Sequence, residues 1–183
     1  MRRKICKFLF KALRKIKSGV NTVLFKYMTG NESAKGLRIE GDVGFKARSI
    51  KVGNNVKIFN NVVFWGDGDI VIGDNVHIGN NTIIYASANG GVTIGNDVSI
   101  AANCYIIDTN HGIARDKKIN AQANSSEKIV IGNDVWLAAA TMVLKGSVIP
   151  DGVVVGANSL VNGALEPYGV YVGSPVRKIK DRV

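Results

Sequence analysis

The sequence predicts an all-β solenoid, a parallel β-helix of six-residue units, with an amphipathic α-helix before it and a short tail after it. Three observations carry this reading. An aliphatic residue recurs at six-residue steps, broken only by insertions, at Val52, Ile58, Ile72, Ile78, Ile94, Ile100, Ile131, Leu137, Val143, Ile149 and Val155. Three places after each stands Asn55, Asn61, Asn75, Asn81, Asp97, Asn103, Asp134, Ala140, Gly146, Gly152 or Asn158, and all but Ala140 are residue types that tolerate positive φ. The next residue is always Val, Thr, Ser or Cys, a small or β-branched side chain suited to re-entering a strand. Three units close one triangular coil, and coils stack at the roughly 4.8 Å spacing of paired parallel strands. Each unit can bury its apolar side only against its neighbours. Ordinary hairpins would need alternating antiparallel lengths, which these regular loops lack.

A chain of 183 residues suits one main core. The order expected is a basic helical arm over residues 1–30, the β-helix over 31–166 with a long loop at 107–130, and a C-terminal strand with a basic tail over 167–183.

The arm comes first. Ile5, Phe8, Leu9, Ala12, Leu13, Ile16, Val20, Val23, Leu24 and Tyr27 recur at steps of three and four, as one face of a helix does. Arg2, Arg3, Lys4, Lys7, Lys11, Arg14, Lys15, Lys17 and Lys26 fall mostly between them, and residues 1–30 hold no acid. Nearly all of the formal charge of +10 therefore sits in the arm, and the almost neutral body argues against nucleic-acid binding along the solenoid. Two readings stand for this helix: it lies in a membrane interface through residues 1–28, or its apolar face packs on the solenoid or another subunit. Charges interrupt any secretory h-region, and no apolar run approaches the roughly 20 residues of a spanning helix.

The breaks in the repeat come next. Coils begin at Val52, Ile72, Ile94, Ile131 and Ile149, and the first three carry insertions within 64–71, 84–93 and 106–130. All three fall in the third unit of their coil, so they stack on one edge of the prism, where solenoids commonly build a binding face. The longest carries Asp108, Thr109, Asn110 and His111. An imidazole with a reference pKa near 6.5 suits general-base work at neutral pH, with Asp108 or a backbone carbonyl orienting its second nitrogen. The ordinary alternative for a loop histidine is a solvated surface residue. The other histidine, His77, ends a regular unit and reads as exposed or as a subunit contact.

Two histidines cannot assemble a three-histidine zinc site, and no Cys-x-x-Cys, P-loop or G-x-G-x-x-G is present, so no metal or nucleotide-hydrolysing site is expected. Cys6 and Cys104 form no disulfide framework, which suits a reducing cytoplasm, and both are expected to be small buried or half-buried residues.

Residues 131–162 run without interruption and end the regular body. With the tail they complete a pattern that resembles the hexapeptide-repeat acyltransferases over roughly residues 50–183. The residues that carry it are units opening on an aliphatic residue and Gly, and the start Ile131-Gly-Asn-Asp-Val-Trp136 after a loop bearing His111. The ending Val172-Gly-Ser-Pro-Val-Arg177-Lys178-Ile179 adds to it. Among these the chain resembles the maltose, galactoside, nodulation-factor and surface-polysaccharide O-acetyltransferases.

The resemblance implies a left-handed β-helix, against the usual right-handed crossover rule, and a homotrimer with active sites between neighbouring prisms. It implies acetyl-CoA as acyl donor, a carbohydrate acceptor and His111 as the base. It also places Trp136 near the active site and makes Arg177 and Lys178 candidates for the CoA phosphates; Lys145 is a further cation toward the same end, with a solvated corner as its alternative. The backbone near Ala138 or Ala139 is the candidate oxyanion donor; Ser87, Asn89 and Asn110 are candidates for the acceptor. The run Val161-Asn-Gly-Ala-Leu-Glu-Pro167 departs from the family's usual Val-Thr-Lys-Asp-Ile-Pro, so a familiar CoA-contacting lysine is absent. The expected reaction is O-acetylation of a surface-polysaccharide or lipid-linked glycan precursor in the cytoplasm, at the inner membrane face if the arm binds there. The alternatives are an amino-sugar N-acetyltransferase, a drug-modifying O-acetyltransferase and a non-catalytic scaffold.

Overall fold

The corners turn the chain as the period requires. Asn55, Asn61, Asn75, Asn81, Asp97, Asn103, Asp134 and Asn158 lie at φ 53 to 63, with Gly146 at 74 and Gly152 at 73. Ala140 adopts φ 57 as well, although its Cβ makes that conformation unfavourable. Stacked corner amides bond along the prism: Asn55 donates to Asn75 at 3.1 Å and Asn75 to Asp97 at 2.9 Å, while Asn61 donates to Asn81 at 3.2 Å and Asn81 to Asn103 at 3.1 Å.

Between corners run short strands. A computed structural model describes residues 2–183, apart from the side chains of Arg2, Lys4 and Ile5, as a left-handed parallel β-solenoid behind one helix. The first face stacks Arg38–Ile39, Lys57–Ile58, His77–Ile78, Ser99–Ile100, Trp136–Leu137, Val154–Val155 and Gly169–Val172, all parallel, and Arg177–Asp181 adds an antiparallel edge. Val43–Phe45, Val62–Gly66, Ile83–Ala86, Tyr105–Ile107, Met142–Val143 and Leu160–Val161 form the second face. Ser49–Val52, Asp69–Ile72, Val92–Ile94, Ile129–Ile131 and Val148–Ile149 form the third.

The aliphatic residue that opens each unit points into the prism and is buried, save half-buried Val52. So does the small residue after each corner, including Thr82, Cys104, Thr141, Ser147 and Ser159. Burial is affordable for these hydroxyls because each reaches a carbonyl; Thr141 Oγ1 donates to Ala138 O at 2.7 Å and Ser147 Oγ to Leu144 O at 2.6 Å. Cys104 is buried and its thiol pKa is pushed up by that burial, whereas Cys6, expected to be at least half-buried, is exposed on the helix.

Helix α1, Arg2–Thr29, closes the open end of the prism. Phe25 is the plug: it is 2% exposed, meets Phe45 edge-on at 5.8 Å and lies 6.2 Å from Phe64. Buried Asn31 ties the helix exit to the third face, donating to Ile50 O at 2.7 Å and accepting from Val52 N at 2.9 Å.

Candidate active site

All three insertions leave the corner between the second and third faces, in successive coils. The longest begins as a small antiparallel ladder, Thr109–Asn110 against Ser125–Ser126, so the excursion leaves and returns through a defined stem. Glu127 N donates to Asp108 O at 2.9 Å, and Ser126 Oγ donates to Thr109 Oγ1 at 3.1 Å. Beyond the stem, Gln122 staples the loop to itself: it accepts from Ala114 N at 2.7 Å and donates to Ala114 O and Lys117 O at 3.0 Å.

His111 stands where the stem opens, and it is exposed. Its ring makes no hydrogen bond among the described residues, which leaves both nitrogens open to a substrate. Asn110 beside it is exposed too, as is Asn89 one coil below.

Asp108 differs from the expectation. Its carboxylate is fully buried and accepts from Ser87 N at 2.9 and 3.0 Å, from Ser87 Oγ at 3.1 Å, and from Gly91 N. With both oxygens engaged by the second insertion, Asp108 does not orient the His111 ring. It is a positioning residue that binds the 87–91 turn to the root of the 108–128 loop. The same bond turns the Ser87 hydroxyl inward, so Ser87 braces the site instead of facing an acceptor. Asp67 adds a rung below, accepting from Ala88 N at 2.9 Å. A carboxylate next to a histidine in sequence looked like its partner; the donors that claim it are about twenty residues upstream, and only the stacking of coils brings them together.

Most of the expected acyl-donor residues lie elsewhere. Trp136 projects from the first face, in register with Ser99 and Val154, and is 52% exposed. In a triangular prism the first face lies opposite the corner that bears His111, so one chain does not bring Trp136 and His111 together. Ala138 N–H donates to Val155 O at 2.9 Å, which removes it as an oxyanion donor. Ala139 is exposed, and its N–H makes no backbone bond among the described residues.

Lys178 also departs from expectation. It pairs with Glu166 and Asp181, each at 2.7 Å, and these two carboxylates push its pKa upward. It fastens the tail rather than offering a free cation. Arg177 is exposed and forms no ion pair among the described residues, and half-buried Lys145 reaches Ser125 Oγ in the loop stem at 3.1 Å. His77 lies in the outward row of the first face, between Lys57 and Ser99.

The outward row of the second face is apolar. Val63, Ile83, Tyr105, Met142 and Leu160 stand in register, with Trp65 and Tyr85 as a second row, and Trp65 is 50% exposed. The sign of this row in the sequence is the alternation of inward and outward residues along these strands.

No family model matches the chain. WbbJ of Escherichia coli (strain K12), named as a lipopolysaccharide biosynthesis O-acetyl transferase, is 37% identical over 153 residues, covering 79% of this chain and 74% of that one. WcaF of the same strain, named as a colanic acid biosynthesis acetyltransferase, is 34% identical over 134 residues, covering 73% and 70%. Among solved structures, a substituted form of AntD, an N-acyltransferase from Bacillus cereus in complex with dTDP and coenzyme A, superposes with a TM-score of 0.73. It is 25% identical and the match covers 82% of this chain and 83% of that one.

Proposed function

The chain belongs to the hexapeptide-repeat acyltransferase family, and from that premise we propose that it transfers the acetyl group of acetyl-CoA to a hydroxyl of a surface-polysaccharide or lipid-linked glycan precursor. The observation that carries the reading is His111, exposed at the mouth of a braced loop with its ring nitrogens unengaged. In the reaction an imidazole nitrogen takes the proton of the acceptor hydroxyl while the hydroxyl oxygen attacks the thioester carbonyl. Ala139 N–H is the remaining candidate to stabilise the oxyanion. Collapse releases the CoA sulfur as thiolate, which recovers the proton from the imidazolium. Asn89 and Asn110 are the proposed acceptor contacts, and Arg177 and Lys145 the cations for the CoA phosphates.

The working enzyme in this proposal is a homotrimer acting in the cytoplasm. Trp136 and His111 sit on opposite sides of one prism, so a single site can use both only across a boundary between copies. The apolar outward rows of the second face support such packing.

Thiol release from acetyl-CoA over a panel of sugar acceptors tests the reading. His111→Ala is expected to lower kcat by about 10²- to 10⁴-fold while the protein stays folded; unchanged turnover would remove His111 as the base. Likeness to AntD supports a second reading, transfer to an amino-sugar nitrogen, and amino sugars in the same panel distinguish the two.

A further inference from the structure

Helix α1 is mounted the wrong way round for a helix whose partner is its own domain. Such a helix normally turns its apolar stripe to the core and its charges to water. Here the described helix residues that are at least half-buried are Ser18, Asn21, Thr22, Lys26 and Thr29, with only Ala12 and Phe25 apolar. Arg14 faces Glu40 at 3.6 Å and Lys17 bonds Asp42 at 3.0 Å. Asn21 donates to Gly41 O at 2.7 Å, and Thr22 Oγ1 accepts from Ile39 N at 2.9 Å.

The apolar residues are consequently left outside. Leu9, Leu13, Ile16, Val20, Val23 and Tyr27 follow one another at alternating steps of four and three, so they form one line along the helix. Every one is more than half exposed, from 52% at Val20 to 72% at Tyr27, and Phe8 and Phe10 extend the surface toward the N-terminus at 71% and 68%. Ordinary solvated faces do not carry a continuous line of this kind.

Steps of four and three also suit a helix from a second copy, and charge decides between the occupants. Nine basic and no acidic residues lie in positions 1–30. Two such helices side by side would set like charges against each other with no acid of the pair to answer them, unlike a coiled coil with complementary flanks. Among the described residues, Arg3, Lys7, Lys11 and Lys15 form no ion pair. An anionic lipid surface supplies both complements: acyl chains for the line, and phosphates for the cations within about one helix diameter of it. No described helix is long and apolar enough to cross a membrane.

We propose that α1 is an interfacial anchor that docks the protein on an anionic bilayer, with the line from Leu9 to Tyr27 in the acyl boundary. Arg14, Lys17, Asn21, Thr22 and Asn31 fix the prism to that anchor. The root of the catalytic loop leaves the prism three coils from the strand Arg38–Ile39, roughly 14 Å along the axis at the spacing of parallel strands. An acceptor carried on a membrane lipid through a short glycan lies within that reach, a consequence that rests on the acetyltransferase reading; the docking itself does not.

Sedimentation of the full-length protein with phosphatidylcholine vesicles, with and without phosphatidylglycerol, is the test. The wild type is expected to pellet with the anionic vesicles and to be released by salt. The double variant Leu13→Asp, Val20→Asp, at two exposed positions, is expected to bind about a hundredfold or more weakly. Its melting temperature and its thiol release with a soluble sugar should be unchanged, so failure of catalysis and failure of docking are read separately. A wild type that stays in solution, or a double variant that pellets equally, overturns the proposal. Loss of oligomer mass in the variant, with no vesicle binding by the wild type, assigns the line to a second copy instead.

Discussion

The regular corners and the inserted corner of this prism hold themselves together by different means. At a regular corner each turn is one residue in the left-handed region, and in the first coils a side-chain rung to the coil above, so stability is divided among many small terms. At the inserted corner the turns are replaced by loops, and one buried carboxylate, Asp108, gathers the 87–91 turn and the root of the 108–128 loop. Distributed support tolerates loss at one place. Concentrated support does not, but it lets a solenoid carry a long loop without disturbing the coils on either side.

The sharpest way to break that contrast is Asp108→Ala. Buried donors at Ser87 and Gly91 would lose their acceptor, and a buried unmet donor is costly. We expect a loss of about 3 kcal/mol, or roughly 10 °C in melting temperature for a chain of this size. Turnover should fall with it because the His111 loop loses its root. A change of under about 1 kcal/mol, the size typical of one surface residue, would show that the inserted corner is as distributed as the others.

Gly90→Ala tests the same clamp from the other side and should cost less. A Cβ there would lie 2.2 Å from Asp108 Oδ2 and 2.8 Å from Cγ, and the carboxylate is buried and bonded on both oxygens, so it has nowhere to retreat. A loss of about 2 kcal/mol by denaturant unfolding is expected. Neutral behaviour would mean that the 87–91 turn moves freely and that Asp108 does not hold it.

Both regions were legible in the sequence to the extent that they follow from the period. Eleven aliphatic positions point inward, eleven corner residues have positive φ, and three insertions leave one edge, because a solenoid repeats the same local rule in every coil. Contacts between coils were harder to read, since they join residues about twenty apart with no signature of their own. Order in the chain sets Asp108 beside His111, whereas the stacking of coils gives its carboxylate to Ser87 and Gly91 and gives Ala138 N–H to Val155 O. Lys178 is claimed more locally, by Glu166 and Asp181 within the folded-back tail, a pairing that no periodicity marks. Periodicity showed that α1 has an apolar line, but it is blind to which neighbour the line faces. The bonds of Asn21 and Thr22 to the first coil show only that the line does not face the prism.

The smallest expected effect has the opposite sign and sits at a regular corner. Ala140 holds φ 57 with an ordinary Cβ, directly above Asn103 in the column where Asn61 bonds Asn81 and Asn81 bonds Asn103. The column stops there because alanine has nothing to accept the next amide. Ala140→Asn supplies a residue that tolerates the left-handed region and an oxygen for Asn103 Nδ2. Relief of part of a strain of about 1–2 kcal/mol, with one exposed hydrogen bond added, should raise stability by about 1 kcal/mol. Activity should be unchanged if the corner only turns the chain. Because neighbouring Ala139 is the proposed oxyanion donor, a drop in kcat with KM held and stability raised would mean that the strained alanine sets the direction of that N–H. The corner would then belong to the site as well as to the scaffold.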